Sequence, residues 1–587
     1  MRRMIFLSSW ILALVASATN VWGDDELVID DIMWQDPPYE VPTLKFDSPP
    51  ELIGLWTKAL QRPDSELRRS AADTIAIAHR SGILDVAGII EHLVAVLQAS
   101  DQEVSVRRAA AHALVVMDVR AQAPLLAQVA VKDGLEVAEF VEPALAKWNY
   151  LPIREVWLRR LEDRALRPLW LLLAIRCLAV TKESAAQQPL LQLVHDRRGA
   201  TNIRLAAAQT LAVISSDGLI ADARQHTSDK SAGKAIERLL GMTLISGHSS
   251  QDAIALIQEL AADAEPSVAT AALTRLLDIN PALTFDLAPT AVTNPDVNVR
   301  RHGAQALVSK ADETSIRQLT RLLSDPNPKL RRWVAKSFLD LAARPELRNT
   351  VIAETERALT SDDWRGLEQA ILLAVHLEQK NYANRMLELL QHSRPEVAVT
   401  AAWALRRFQL PETLTEMLNH AQRQYDRIRN KDTAPHVSQL IDGQHSQLFQ
   451  AFGQLRFTDA EPLMRKFVPK NFSLGNESRA AACWALGYLH ENRATPDLTQ
   501  QFVGRLSDVE SMMPEVEPVR RTCGVSLGRM KSTSALPVVR NFAASDGITS
   551  AVGQSCWWAI EQLSDDKRPP MPAITHRILS WFLQPAG

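Results

Sequence analysis

Glycine is scarce in this chain, with 22 in 587 residues against a usual share of roughly 7%, which argues against loop-rich, collagen-like and all-β architectures. Cysteine is scarcer still. Four cysteines are too few for a disulfide scaffold, and no C-x-x-C pair is present to hold zinc or attach haem. Charge of one sign is also missing: 65 Lys and Arg face 68 Asp and Glu, a net of −3. A protein that neutralises many phosphates carries a strong basic field, so nucleic acid is not an expected partner. There is no run of about 20 apolar residues to cross a bilayer, and no H-E-x-x-H, P-loop or Rossmann fingerprint. What the chain has is 46% hydrophobic residues with many Ala, Leu and Arg at regular spacing, a composition that favours helix.

Arg2 and Arg3 precede an apolar stretch from Met4 to about Ala16, followed by small residues. This is the order of a secretory signal peptide, so residues 1–23 are expected to be removed on export, after Ala18 or after Gly23, leaving a periplasmic or secreted protein with no membrane span. Residues 24–51 carry nine acidic residues against Lys45 alone, and prolines at 37, 38, 42, 49 and 50 interrupt any helix. An extended acidic linker is expected there. The remainder is close to neutral.

Self-similarity dominates the rest. The unit Val106 to Leu114 reads V-R-x-x-A-x-x-A-L, and related stretches start at Leu67, Val137, Trp170, Ile203, Val268, Val299, Leu330, Val397, Ser478, Val519 and Val552, with weak copies at Trp364 and Gln444. One more degenerate unit fits between Gly233 and Leu244, giving about fifteen. At 100° per residue, positions 1, 5, 8 and 9 share one face of a helix, with a small residue at its centre where a neighbour approaches. Another apolar helical stretch precedes each, so every unit is predicted to be a helical hairpin.

This pattern resembles the HEAT repeat, in the short bacterial form called PBS-lyase HEAT-like. The resemblance implies an all-α, right-handed α-solenoid, with residues 52–408 as amino-terminal repeats, 409–443 as a helical insertion and 444–587 as carboxyl-terminal repeats with inserted loops. It also implies an Asp/Arg ladder between neighbouring units, drawn from Asp101, Arg107, Asp263, Arg300, Asp325 and Arg331. Charges at such regular spacing are structural rather than catalytic. Some HEAT-like proteins are bilin lyases, so an enzyme or enzyme helper is the rival to a binding scaffold. Export speaks against that rival, because those lyases act on cytoplasmic phycobiliproteins.

Single motifs support no chemistry. Gly524-Val525-Ser526-Leu527-Gly528 matches G-x-S-x-G but lies inside a predicted helix, where a nucleophile elbow cannot form. His490-Glu491 resembles the His-Glu iron ligands of the deoxyhypusine hydroxylases, yet that family needs several such pairs and only one occurs here; a solvent-facing pair at a helix end is expected. Cys177, Cys483, Cys523 and Cys556 occupy small-residue positions and are expected to be free, buried thiols.

The remaining candidates are aromatic. Position 7 of the unit lies away from the core face, and it holds His112, Arg176, Gln209, Thr274, Gln305 and Lys336 in earlier units but Trp403, Trp484 and Trp558 towards the carboxyl end. The resemblance places this helix along the concave surface. Loops are inserted at 469–477 and 507–518, the second carrying Met512 and Met513. With Tyr488, these residues form the expected protein-binding surface, no cofactor or metal is expected, and the function expected is that of a non-catalytic scaffold or adaptor.

Overall fold

The computed structural model describes residues 27, 29–47, 51–82, 87–99, 102–163, 165–430 and 435–577. The expected signal peptide lies outside the described residues. The described residues form two compact units, one comprising those of 44–303 with 573–577, the other those of 27–43 with 304–572.

Within the 44–303 unit, helices alternate. A first helix such as Ile90–Gln98, Ala123–Lys132 or Gln187–His195 packs on a second helix, Val104–Val116, Leu135–Lys147 or Thr201–Ile214. Successive second helices also pack on one another. The degenerate unit is there too, as Ala235–Leu244. Leu44–Asp47 and Ile574–Arg577 form one parallel strand pair, which the repeat pattern does not foreshadow.

The other unit repeats the arrangement. Its second helices are Pro328–Ala342, Trp364–His376, Pro395–Phe408, Pro435–Gln454, Asn476–Leu489, Glu517–Arg529 and Ala551–Leu563. The chain is an all-α array of HEAT-like helical hairpins. Positions 1, 5, 8 and 9 are buried as the periodicity requires, for example Val106, Ala110, Ala113 and Leu114, or Val552, Cys556, Ala559 and Ile560. Burial of these positions between neighbouring hairpins holds such an array together, since each repeat touches only its neighbours.

The expected insertion at 409–443 is instead part of an ordinary hairpin built larger. Leu414–Arg429, 16 residues, is its first helix, and Pro435–Gln454, 20 residues, its second. The extra turns blurred the spacing.

Among the described residues, nine second helices end on a non-glycine residue in the left-handed region, including Asp118, Asn149, Lys182, Gln409, Asn492 and Lys531. That conformation satisfies the last carbonyls of a helix and reverses the chain, in most of them into a short 3-10 turn that opens the next first helix, such as Arg120–Gln122 or Thr533–Ala535, though after Ala311 and Asn492 an α-helix follows directly. None is glycine, so no composition cue marks these turns.

The charge ladder runs from an arginine of one second helix to an acid ahead of the next or in its first turn. Arg107 makes a two-pronged pair with Asp133, Nε to Oδ2 at 2.6 Å and Nη2 to Oδ1 at 2.8 Å. Arg238 pairs likewise with Asp263, Arg204 with Glu237, Arg479 with Glu515 and Arg520 with Asp546. Arg204 and His226 together hold Glu237 down to about 2, the Arg204 hydrogen bonds being the larger cause. Arg331 continues the ladder more loosely, to Glu368 of the next second helix at 3.8 Å, and the named arginines also donate to backbone carbonyls of their own turns. Arg300 donates to the carbonyls of Asn294 and Pro295 at 2.9 and 2.7 Å, and Arg331 to that of Asp325 at 3.3 Å. Asp325 accepts from the Asn327 amide. Asp101 lies outside the described residues.

Candidate functional site

The tryptophans do not face solvent. Trp403 is 1% exposed and Trp484 0%, while Trp558 is half-buried. Two things cover them. The first is close helix approach: a Cβ at Gly453 would lie 3.1 Å from the Trp484 ring, and one at Gly528 would lie 3.1 Å from the Trp558 ring. Glycine lets each indole rest on the backbone of the preceding second helix. This also accounts for the G-x-S-x-G run, since Gly528 receives an indole and Ser526, fully buried, donates to the Cys483 carbonyl at 2.8 Å. It is a packing seam, without a nucleophile.

The second cover is the acidic segment. The free extended linker expected over 24–51 is not what residues 29–43 form; they run along the second helices of the carboxyl-terminal repeats, with one short helical turn at Ile32–Gln35. Asp30 accepts from Trp403 Nε1 at 2.6 Å and from Arg406 Nη2 at 2.8 Å, with Arg407 3.6 Å away. Met33 is fully buried, and its amide donates to Gln450 Oε1. Arg521 donates to three carbonyls in succession, those of Met33 (2.7 Å), Trp34 (3.1 Å) and Pro37 (2.8 Å).

Asp36 then enters an aromatic-cationic nest. Its Oδ2 accepts from Arg529 at 2.6 Å, Tyr488 Oη at 2.5 Å and Trp484 Nε1 at 3.2 Å. The Arg529 guanidinium lies 3.9 Å from the Tyr488 ring centroid, and the Trp484 and Trp558 rings flank it at 5.8 and 5.5 Å, within reach of cation–π attraction. Burial, reinforced by the bond to Asp36, pushes the Tyr488 hydroxyl up to about 12. Further on, Gln554 exchanges two hydrogen bonds with the Glu40 backbone, each 2.9 Å, Tyr39 donates to the Thr549 carbonyl, and Arg568 pairs with the Glu40 carboxylate.

The reason a proline-rich acidic segment docks is electrostatic. Arg406, Arg521 and Arg529 are 1%, 3% and 6% exposed, and a buried guanidinium is tolerated only when paired and hydrogen-bonded. The segment supplies carboxylates and carbonyls. None of these arginines occupies the recurrent second position of the repeat, so the unit pattern alone does not single them out.

Of the sequence-predicted residues, Trp403, Trp484, Trp558 and Tyr488 therefore converge on one face, while Met512 and Met513 do not join them. Met512 is fully exposed and Met513 58% exposed, on a loop anchored by Lys470 to Asp508 at 2.6 Å and by Glu515 to Arg479. The His490-Glu491 pair is also not the solvent pair expected. His490 is buried against Glu461 at 3.0 Å and Glu491 pairs with Arg456. Among the described residues no group of three or more His, Cys, Asp or Glu is placed to hold a metal, and no helix is long and apolar enough to cross a membrane. The four cysteines are free and buried.

No protein-family model matches the chain, and no curated protein matches it. Among solved structures it is similar to importin beta crystallised in an ammonium sulfate condition, at 13% identity over 87% of this chain and 72% of that one, with a TM-score of 0.47. It is similar also to Kap95p in a structure with RanGDP, at 13% identity, the same shares and a TM-score of 0.49. For Kap121p bound to Pho4p the identity is 11%, the shares 95% and 56%, and the TM-score 0.42. At these values the likeness is to arrays of stacked helices and carries no weight for partner or activity.

Proposed function

We propose that this chain is an exported, non-catalytic scaffold that binds another protein along the second-helix face of its carboxyl-terminal repeats, which are of the short PBS-lyase HEAT-like type. One observation supports the reading above the rest: that face already holds a length of polypeptide from outside the repeats, residues 29–40, largely irregular apart from one helical turn, by donors aimed at backbone carbonyls and carboxylates. A surface that orders one extended segment has the features needed to order another. The exposed Met512 and Met513 add apolar area on an inserted loop of the same repeats, which suits an adaptable contact. Export rests on the Arg2-Arg3, apolar, small-residue order at the amino terminus, and a periplasmic or secreted location follows from it.

The test is photo-crosslinking from a benzoyl-phenylalanine placed at Trp558, in cells, followed by recovery from the exported fraction. The expected product is one dominant adduct with a protein, in near-stoichiometric yield, on a chain whose sequence begins at or between Thr19 and Asp24. Retention of residues 1–23 on a cytoplasmic chain contradicts export, and absence of any adduct contradicts the scaffold reading.

A further inference from the structure

The interactions that seat residues 29–40 fall into two kinds, and only one depends on sequence. Backbone contacts ask nothing of the ligand's side chains: Arg521 takes three carbonyls, Gln554 an amide and a carbonyl, and Gln450 an amide. Side-chain contacts ask for three things, a carboxylate for Arg406, an apolar group in the socket filled by Met33, and a second carboxylate for Arg529. These fall at residues 30, 33 and 36.

The seated segment is an imperfect occupant. Asp31 has a buried oxygen with no partner, and its carboxylate lies in the field of Glu477, which also feels Asp442. Burial raises both: for Asp31 it outweighs Arg406, Gln450 and the Met33 amide, which favour the carboxylate, and for Glu477 the charges of Asp31 and Asp442 add to it. The outer side of the segment is open, with Gln35, Pro38, Tyr39 and Glu40 exposed. It is tethered, so it occupies the face at an effective concentration of order millimolar even where its intrinsic fit is poor.

We propose that the face formed by Arg406, Arg521 and Arg529 is a receptor for a partner segment reading acid, neutral, any, apolar, any, any, acid, and that residues 30–36 are an internal competitor that holds the face until such a segment displaces them. This rests on the protein-binding reading above and adds the chemistry of the partner and a gate on its access. The partner is another protein; a second copy of this chain carries Asp31 at the disfavoured position.

The probe is a fluorescein-labelled synthetic peptide with the sequence of residues 27–43 and Asp31→Asn, titrated by fluorescence polarisation into the full-length chain. Binding is expected to be at least tenfold tighter to the Asp36→Asn chain, whose own segment is weakened, than to the wild type, and to be lost when Arg529→Ala is added. The unaltered Asp31 peptide is expected to bind several-fold more weakly. A melting curve of Asp36→Asn accompanies the titration. If that chain keeps its melting temperature and binds no peptide, or melts early and binds none, the segment is a fixed part of the fold and the proposal falls. Concentration-dependent dimers in sedimentation velocity would assign the face to a second copy and overturn it as well. Peptide binding without a crosslinked protein at Trp558 leaves the receptor standing and removes the scaffold; a crosslinked protein without peptide binding does the reverse.

Discussion

Arg529 and Asp36 are 493 residues apart in sequence and joined at 2.6 Å. The pair sits over the Tyr488 ring with the arginine 6% and the aspartate 27% exposed at their side chains, so it is shielded well enough to matter. Asp36→Ala leaves a buried guanidinium without its carboxylate, a loss of about 2–4 kcal/mol. The expected result is release of the segment, read as rapid cleavage between residues 29 and 43 under limited proteolysis. Unchanged resistance there contradicts the docking.

The ladder allows a sharper test, because its rungs are buried. Arg479 and Glu515 are 4% and 1% exposed at their side chains. Removing one partner, as in Glu515→Gln, is expected to destabilise by about 3–5 kcal/mol, whereas Arg479→Met with Glu515→Leu is expected to restore most of that. Denaturant melts of Arg479→Met, Glu515→Leu and the double variant give the coupling. Equal losses from all three show that the rung holds nothing beyond packing.

Much of the fold was legible because a hairpin array writes its geometry into spacing. Val106, Ala110, Ala113 and Leu114 share a face for a geometric reason, and so do Trp403, Trp484 and Trp558. The face could be located, but its exposure was misjudged, since the covering group comes from residues 29–43. Nine acids and five prolines in residues 24–51 argue for solvation when that segment is read alone. The missing cue lay in the arginines. Arg406, Arg521 and Arg529 stand in the same helices as the tryptophans or between them, off the ladder position, and answer a run of aspartates elsewhere; matching unassigned cations to an unassigned acidic segment would have paired them. Gly453 and Gly528 were legible as small residues but not as indole seats, because the contact crosses between hairpins.

Docking should depend on pH in two directions. Asp31 and Glu477 are raised above their ordinary 3.8 and 4.5, burial being the main cause, so docking favours their protonated forms and strengthens as pH falls from neutral through the raised values. For Asp30, burial pushes upward, but Trp403, Arg406 and Arg407 outweigh it and the carboxyl lies below 3.8. Its contribution is present above 3.8 and disappears as pH falls through the lowered value. Protease protection of residues 29–43 is therefore expected to rise on mild acidification and collapse in strong acid. Glu477→Gln should reduce the rise to the share of Asp31 and leave the collapse. A monotonic loss of protection from neutral pH downward contradicts this assignment.

The thiols should be inert in the native protein. Burial raises Cys177 and Cys523 well above the ordinary cysteine value and pushes Cys556 up to about 12, and the thiolate is the reactive form. With a chromogenic disulfide reagent, the expectation is no fast labelling before denaturation and four thiols after it without reductant. Fewer than four after denaturation would place a disulfide where the helices hold free cysteines.

Residues 29–40 are expected to lie on the Arg406–Arg521–Arg529 face in solution. Hydrogen–deuterium exchange of the full-length chain measures this, since the Met33 and Glu40 amides donate to Gln450 and Gln554. The prediction is slow exchange over 29–40 in the wild type, and exchange at open-chain rates in Arg521→Ala with the helices Asn476–Leu489 and Ala551–Leu563 still protected. Open-chain exchange over 29–40 in the wild type itself would contradict it.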